Sequence, residues 1–198
     1  GGGRLLGVQI GLGFFLRLAI GLILFAGLPV WGYDEPGQQA GYIFLDAYER
    51  DQQAWGLAQS DDPVWTAFTE EFRTDQYGGL LSLSALVYRA LSPMTHQPLI
   101  IMVLAAFAAA AGIPLLYRAS KTLWGPAVST AAVWVYTLYP ESLLLGASQM
   151  REPFIMGFSA VAFWAVLDRV TDRRIRLTAA LIALLGLTLI SSRVTLPV

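Results

Sequence analysis

Long apolar runs constrain this chain more than any other feature of its sequence. Residues 98–117 and 122–140 carry no charged side chain, and about 20 apolar residues suffice for a helix to cross the hydrocarbon of a bilayer. Hydrophobic residues make up 56% of the 198 positions and charged residues only 14%, which is extreme for a soluble domain. The sequence therefore predicts an all-α, polytopic membrane protein.

The apolar runs predict about five transmembrane helices in a single transmembrane domain over residues 1–198. The apolar segment between Asp75 and Arg89 is too short to cross, so we expect an interfacial or re-entrant helix there. A further amphipathic helix is predicted at 38–55. The chain begins Gly-Gly-Gly-Arg without Met, and we expect it to be a piece of a longer protein. The predicted spans are 9–31, 98–117, 122–140, 153–168 and 177–192, and the hydrophilic insert is 32–97.

The distribution of charge along the chain predicts its orientation. The insert carries ten acidic and three basic side chains. With the insert outside, the short connections 118–121 and 168–176 fall inside and are rich in Lys and Arg, whereas 141–152 falls outside with two acids and one base. Lys and Arg prefer cytoplasmic loops. The sequence therefore predicts a multi-pass protein of the cell (inner) membrane with an extracytoplasmic insert.

Two acidic motifs lie at predicted span boundaries on the outer side. Asp34 and Glu35 follow the first span in an Asp-Glu-Pro-Gly sequence, which an ordinary solvated turn also explains. Arg151 and Glu152 precede Pro153, a residue suited to the first turn of a helix, and simple anchoring at the interface is the alternative there. We expect Asp34 and Glu152 to converge on one cavity.

The composition excludes several kinds of site. The chain has no cysteine, so disulfides, thiolate catalysis and Cys-based metal sites are excluded. His96 is the one histidine, which excludes a His-rich metal site, and its place near a helix start predicts a structural role. No basic stripe with interleaved aromatic residues indicates a nucleic-acid partner.

Three stretches resemble motifs of the GT-C glycosyltransferases. They are Tyr-Asp-Glu at 33–35 with Ala-Gly-Tyr at 40–42, Gln-Tyr-Gly-Gly-Leu-Leu at 76–81 leading into Val-Tyr-Arg at 87–89, and the segment 139–152 from Tyr-Pro-Glu to Gln-Met-Arg-Glu. The closest likeness is to the bacterial dolichyl-phosphate-mannose-protein mannosyltransferase-like group, glycosyltransferase family 39. The resemblance covers most of the chain and implies an acidic first outer loop with membrane-lying helices, followed by further spans.

The resemblance implies an inverting transferase that moves a sugar from a polyprenyl-phosphate-linked donor to a hydroxyl of a protein, lipid or glycan. The family's catalytic first-loop acid corresponds to Asp34, which would take the hydroxyl proton as a general base, with Glu35 beside it. A second acid that opens the fourth span corresponds to Glu152, where Asp is more usual. Positive charge must stabilise the leaving phosphate. The candidate substrate-binding residues are Arg151 first, then Arg89, Arg17, Tyr77 and Gln149.

The sequence leaves the metal requirement and two other functions open. Carboxylates can bind Mg²⁺ or Mn²⁺. A transporter or flippase of lipid-linked sugars would place acids along a path through the spans, and the uncharged spans disfavour it. A non-catalytic membrane assembly protein would leave Asp34 and Glu152 far apart in open solvent. The discriminating feature is whether these two carboxylates and Arg151 line one cavity.

Overall fold

The protein is helical throughout the part that the structure describes. This computed structural model describes residues 2–69 and 78–190, in which no strand is present. The predicted all-α class is therefore confirmed for these residues. The helices are α1 (Gly2–Trp31), α2 (Pro36–Gln39), α3 (Leu45–Gln59), a 3-10 helix (Val64–Phe68), α4 (Gly79–Leu91), α5 (Leu99–Leu138), α6 (Pro140–Gly146), α7 (Glu152–Leu167) and α8 (Arg173–Ile190).

Two of the described helices, α1 and α5, are long and apolar enough to cross a membrane. Helices α4 and α7 are apolar but have only 13 and 16 residues. Helix α8 has 18 residues, and its first turn carries Arg173, Arg174 and Arg176. The membrane character of the chain thus rests on two candidate spans, and the arrangement with five spans stays a prediction.

Helix α5 is a helical hairpin with its turn at Gly125. Gly125 has φ +80°, a left-handed conformation that glycine adopts without steric cost, and Pro126 suits the first turn of the second arm. The hydroxyl of Tyr136 in the second arm donates to the carbonyl oxygen of Ala109 in the first at 2.8 Å, so the arms lie side by side. The predicted connection at 118–121 is instead helical, because charged side chains do not end a helix whereas the left-handed glycine does.

The remaining helices pack around this hairpin. Helix α1 contacts the second arm, where Gln9 Nε2 donates to the carbonyl oxygen of Thr130 at 3.4 Å. Helix α7 packs against the first arm so closely that a Cβ on Gly157 would lie 2.6 Å from the carbonyl oxygen of Ala108. Small residues permit this close approach of two apolar helices. The hairpin is therefore the centre of the described bundle.

The insert and the connection before α7 meet at one end of the bundle, which we call the insert end. Arg50 Nη2 donates to the carbonyl oxygen of Gln149 at 2.7 Å. The side chain of Gln149 in turn donates through Nε2 to the carbonyl oxygen of Pro98 at 3.0 Å. These bonds join α3, the start of α5 and the connection that leads into α7.

The opposite end of the bundle, which we call the basic end, contains the turn after α7. Asp168 ends this helix, and Arg118 of α5 donates to its carboxylate at 2.9 Å. Arg176 of α8 donates to the backbone carbonyl of Asp168. The chain therefore alternates between the two ends as it passes from α5 to α7 and α8.

The insert forms a small helical layer over its end of the bundle. The predicted helix at 38–55 is interrupted by Gly41, which has φ +86° and lies against α1, so that a Cβ there would sit 2.5 Å from the carbonyl oxygen of Phe25. Helix α3 then packs on α4 through a core that includes Ala54, Leu81 and Tyr88. This packing brings polar groups of α3 and α4 into one buried cluster.

Candidate active site

The Asp34–Glu35 pair lies in the connection between α1 and α2, at the insert end. Both side chains are exposed. Neither carboxylate forms a hydrogen bond or an ion pair with another residue in the described part of the chain. The local turn is instead closed by Gln38, whose Oε1 accepts from the backbone N–H of Tyr33 at 2.7 Å. The pair is thus accessible to a ligand from water but is not oriented by its neighbours.

Arg151 and Glu152 lie together where α7 begins. Arg151 Nε contacts Glu152 Oε1 at 3.3 Å, and about 30% of each side chain is exposed (31% and 30%). The other carboxylate oxygen, Oε2, is enclosed and accepts no hydrogen bond from the residues that the structure describes. Pro153 follows at the first turn of α7, as the sequence predicts. The structure therefore forms a half-buried ion pair at the N-terminus of an apolar helix.

The structure places Asp34 and Glu152 at the same end of the bundle but not in contact. Helix α1 meets the connection before α7 at Gly21, where an added Cβ would lie 2.6 Å from the carbonyl oxygen of Ala147. Helix α1 then continues to Trp31, which is about 15 Å further at 1.5 Å per residue. Asp34 lies beyond that helix end, and no hydrogen bond joins it to Glu152 in the described residues. Their convergence on one cavity stays a prediction.

Arg17 and Arg89, the other arginines predicted to bind substrate, donate hydrogen bonds to backbone carbonyl oxygens. Arg17 is fully buried, and its guanidinium donates to the carbonyl of Gly13 at 2.7 Å, to Ser142 Oγ at 2.7 Å and to the carbonyl of Tyr136 at 3.3 Å. Arg89 Nη2 donates to the carbonyl of Leu57 at 2.7 Å, at the end of α3 where helix carbonyls lack intrahelical partners. Both guanidinium groups are thus engaged in hydrogen bonds within the protein.

The two remaining predicted substrate-binding residues are Tyr77 and Gln149. Tyr77 lies outside the described residues. Gln149 is buried and joins the insert to the bundle through its backbone oxygen and its side-chain amide. It therefore has a positioning role at the insert end.

A buried polar cluster around Asp51 is the most highly organised group of side chains at the insert end. Asp51 is 2% exposed. Its Oδ2 accepts from the hydroxyl of Tyr42 at 2.5 Å and lies 2.7 Å from His96 Nε2, and its Oδ1 accepts from the hydroxyl of Tyr88. Burial and the adjacent carboxylate raise the pKa of both tyrosines, so both phenols remain protonated donors.

Sequence reasoning missed this cluster and assigned His96 a structural role. One signal was present in α3, where Ala47, Asp51 and Ala54 recur at helical spacing and place a carboxylate on the buried face of the helix. A charge on such a face requires partners. The partners lie outside α3, on α4 and in the connections, so their identity depends on tertiary packing.

The described residues do not form a divalent-metal site. No group of three or more His, Cys, Asp or Glu side chains that could hold an ion occurs among them. Mg²⁺ in proteins is usually held through carboxylates with water and substrate phosphates, whereas the carboxylate of Asp51 is occupied by two phenols and an imidazole. Asp51 therefore does not fit the Mg²⁺ or Mn²⁺ that the sequence leaves open, and no chemical step below uses one.

An apolar groove runs along α7 from Phe154 to Val161. It has a volume of about 360 Å³ and lies between α4, α5 and α7, with Leu83, Phe107 and Phe154 among its walls. A second groove of about 290 Å³ shares Leu83 and Phe154 and continues to α8. The grooves therefore form a long apolar surface along α7 whose lining includes Phe154, two residues after Glu152.

Comparison of the chain with models of known protein families, with curated proteins and with solved structures finds no match. The likeness of the sequence motifs to GT-C glycosyltransferases therefore stays a prediction. The functional assignment depends on the geometry of the insert end.

Proposed function

We propose that this protein is a membrane glycosyltransferase that moves a sugar from a polyprenyl-phosphate-linked donor to an acceptor hydroxyl at the insert end. The supporting observation is the bond from Arg50 Nη2 to the carbonyl oxygen of Gln149 at 2.7 Å. It ties the insert, which carries Asp34, to the connection that leads into Glu152. Both acid-bearing connections thus belong to one end of the bundle.

The donor phosphate binds at the start of α7. The N-terminus of a helix favours negative charge because its backbone N–H groups are unpaired and its dipole is positive there. Arg151 adds a half-exposed guanidinium at the same place, and Arg–phosphate hydrogen bonds are among the strong ones in proteins. Arg151 is therefore the residue assigned to the charge that develops on the leaving phosphate.

The polyprenyl chain of the donor lies in the apolar grooves beside α7. Phe154, two residues after Glu152, lines both grooves. The apolar lining of the grooves suits the hydrocarbon chain of a lipid whose phosphate is held at the start of the same helix.

Asp34 acts as the general base in this proposal. Its carboxylate takes the proton of the acceptor hydroxyl while the oxygen attacks the anomeric carbon. The bond from that carbon to the phosphate oxygen breaks, and the phosphate leaves with the electron pair. Attack opposite the leaving group inverts the configuration, as in one-step glycosidases. The exposure of Asp34 and Glu35 suits an acceptor that arrives from water.

The proposal includes a multi-pass arrangement in the cell membrane with the insert end outside. The basic end contains Arg118 and Lys121 on α5 and the arginines of α8, whereas the insert end contains the acidic connections. Positive side chains are retained on the cytoplasmic side of membrane proteins. This segregation supports the orientation and puts the proposed transfer on the extracytoplasmic side.

One observation weighs against the alternative that the protein is a transporter or flippase. A transport path requires charged or polar side chains that a moving ligand can reach. Arg17 is the charged residue in the middle of α1, yet it is fully buried and bound to carbonyl oxygens and to Ser142. It is therefore not open to a ligand in this arrangement.

The test is sugar transfer by the intact protein in reconstituted membranes. Polyprenyl-phosphate-mannose labelled in the sugar is supplied with cell-envelope protein and lipid as acceptors, and both label transfer and release of polyprenyl phosphate are followed. Asp34→Asn should lower the rate by about 10²–10⁴-fold, the usual contribution of a general base, without changing thermal stability. Asp61→Asn, at another exposed acid of the insert, is the matched control. Full activity of Asp34→Asn would remove this residue from the mechanism, and transport of the lipid without transfer would favour the flippase.

A further inference from the structure

The contact between His96 and Asp51 is built as an oriented acid–base pair. The Nε2 atom of His96 lies 2.7 Å from Asp51 Oδ2, and the Asp51 side chain is only 1% exposed. A buried carboxylate that accepts from two protonated phenols, Tyr42 and Tyr88, is an acceptor for its third partner as well. The ring nitrogen that faces Asp51 therefore carries the proton.

The other ring nitrogen of His96 is available as a base. With the proton on Nε2, Nδ1 of the neutral ring is the acceptor. Nδ1 forms no hydrogen bond within the described residues and is not enclosed, and 22% of the His96 side chain is exposed. An imidazole with one nitrogen held by a carboxylate and the other open to solvent is the arrangement that general-base catalysis requires.

Aromatic packing fixes the orientation of the ring. The indole of Trp55 stacks on His96 with ring centroids 5.0 Å apart and an angle of 19° between the planes. Tyr88 contacts the ring edge-on at 5.3 Å. His96 is therefore held on its face, on its edge and through Nε2, whereas Asp34 at the same end makes no orienting contact.

The His96–Asp51 pair lies next to the segment that precedes α7. Tyr42, which donates to Asp51, lines the same small cavity as Gln149, and Gln149 donates to the carbonyl oxygen of Pro98, two residues after His96. Gln149 is three residues before Glu152. Among the described residues, the titratable groups that contact the ring are Asp51 and Tyr88. Arg50, next to Asp51 in the chain, donates to Gln149 and to Met150 Sδ.

We propose that His96, oriented by Asp51, is a second general base at the insert end. In the transfer step Asp34 takes the proton of the acceptor hydroxyl while the oxygen bonds to the anomeric carbon, and the phosphate leaves with the electrons of the broken C–O bond. His96 Nδ1 then takes that proton from the Asp34 carboxyl through water and restores the carboxylate. Asp51 stabilises the imidazolium that forms, which then releases its proton to water. The inference rests on the proposed function for the hydroxyl and the donor, and adds a base that no sequence motif indicates.

The experiment replaces His96 in the intact, reconstituted protein and measures kcat and KM for transfer from labelled polyprenyl-phosphate-mannose. His96→Ala should lower kcat by about 10²-fold, the low end of a general-base contribution, with KM unchanged, and added imidazole should restore part of the rate. His96→Gln keeps an amide that can donate to Asp51 but has no basic nitrogen, so it should be as slow as His96→Ala. Gln97→Ala, at the exposed neighbouring residue, should keep the wild-type kcat.

Two results would overturn the inference. A wild-type kcat in His96→Gln would show that the ring only supports the fold. The second result is a ring proton on Nδ1, which ¹⁵N shifts of the one histidine in the chain report directly. If the wild-type protein transfers no sugar, the proposed function fails while the tautomer measurement still decides the orientation of the base, so the two failures are distinguishable.

Discussion

The two ends of the bundle each contain a buried aspartate, and the two carboxylates are stabilised by different kinds of partner. At the basic end, Asp168 accepts from Trp164 Nε1 at 2.6 Å, from the backbone N–H of Val170 at 2.9 Å, and from Arg118 at 2.9 Å. At the insert end, Asp51 accepts from two phenols and faces an imidazole. One aspartate therefore has a permanent cation beside it, and the other does not.

This difference indicates a structural role for Asp168, whereas the partners of Asp51 suit a site of proton transfer. Burial alone would raise the pKa of Asp168, but the hydrogen bonds from Val170, Thr171 and Trp164 together with the charge of Arg118 outweigh it and lower the pKa to about 2. Such a group stays ionised at all physiological pH values. Asp51 instead has a partner that can itself gain or lose a proton, which is what a proton-transfer site requires.

Removal of the insert-end carboxylate should have the largest effect on stability. Asp51→Ala leaves the hydroxyls of Tyr42 and Tyr88 and Nε2 of His96 without their acceptor in a buried site. We expect a loss of about 3 kcal/mol or more in the free energy of unfolding, because each buried donor left without an acceptor costs about 1–3 kcal/mol. Thermal unfolding in detergent would measure it, with Asp61→Ala at an exposed site as control. Equal stability of the two variants would contradict the buried cluster.

The same substitution at the basic end should cost less. Asp168→Ala removes the acceptor of the buried Trp164 Nε1. The other donors to this carboxylate, Val170, Thr171 and Arg118, are exposed or partly exposed and can be hydrated. We expect a loss of about 1–3 kcal/mol, the penalty for one buried donor left unpaired. The change should appear as faster amide hydrogen exchange in the turn at 168–172. A larger loss than in Asp51→Ala would reverse the comparison between the two ends.

Removal of the permanent cation should have the smallest effect. Arg118→Ala breaks an ion pair whose arginine is half exposed, and such pairs contribute only about 0.2–1 kcal/mol. Asp168 keeps its donors from Trp164, Val170 and Thr171 in this variant. Unfolding curves of Arg118→Ala and of the exposed control Arg169→Ala should therefore nearly coincide. A loss as large as that of Asp168→Ala would show that the arginine holds this turn by itself.

Apolar composition predicted the class of the fold because helix length and hydropathy are local properties of the sequence. The helical class is confirmed in the described residues, and α1 and α5 have membrane-spanning length. The position of the turn in α5 depended on one backbone angle at Gly125, which the charges at 118–121 did not reveal. Gly41 divides the predicted insert helix for a similar reason, since it lies against the backbone of Phe25.

The candidate site was less predictable because its contacts join distant parts of the chain. Local motifs indicated the Arg151–Glu152 pair, and the structure does bring these two side chains together. The Asp51–His96 pair depends on α3 packing against the connection before α5, which no local pattern specifies. Arg17 and Arg89 were predicted to bind substrate from charge alone, whereas carbonyl oxygens of the fold occupy their guanidinium groups.

Arg17 has a consequence for the order in which the chain assembles during synthesis. Its buried guanidinium finds two of its acceptors, the carbonyl of Tyr136 and the hydroxyl of Ser142, more than a hundred residues later in the chain. In a bilayer an arginine near the middle of a helix costs about 2.5–3.5 kcal/mol on insertion scales. If α1 crosses a membrane, its guanidinium gains these two acceptors only once α5 and α6 are in place, which would make the first helix a late-maturing part of the bundle.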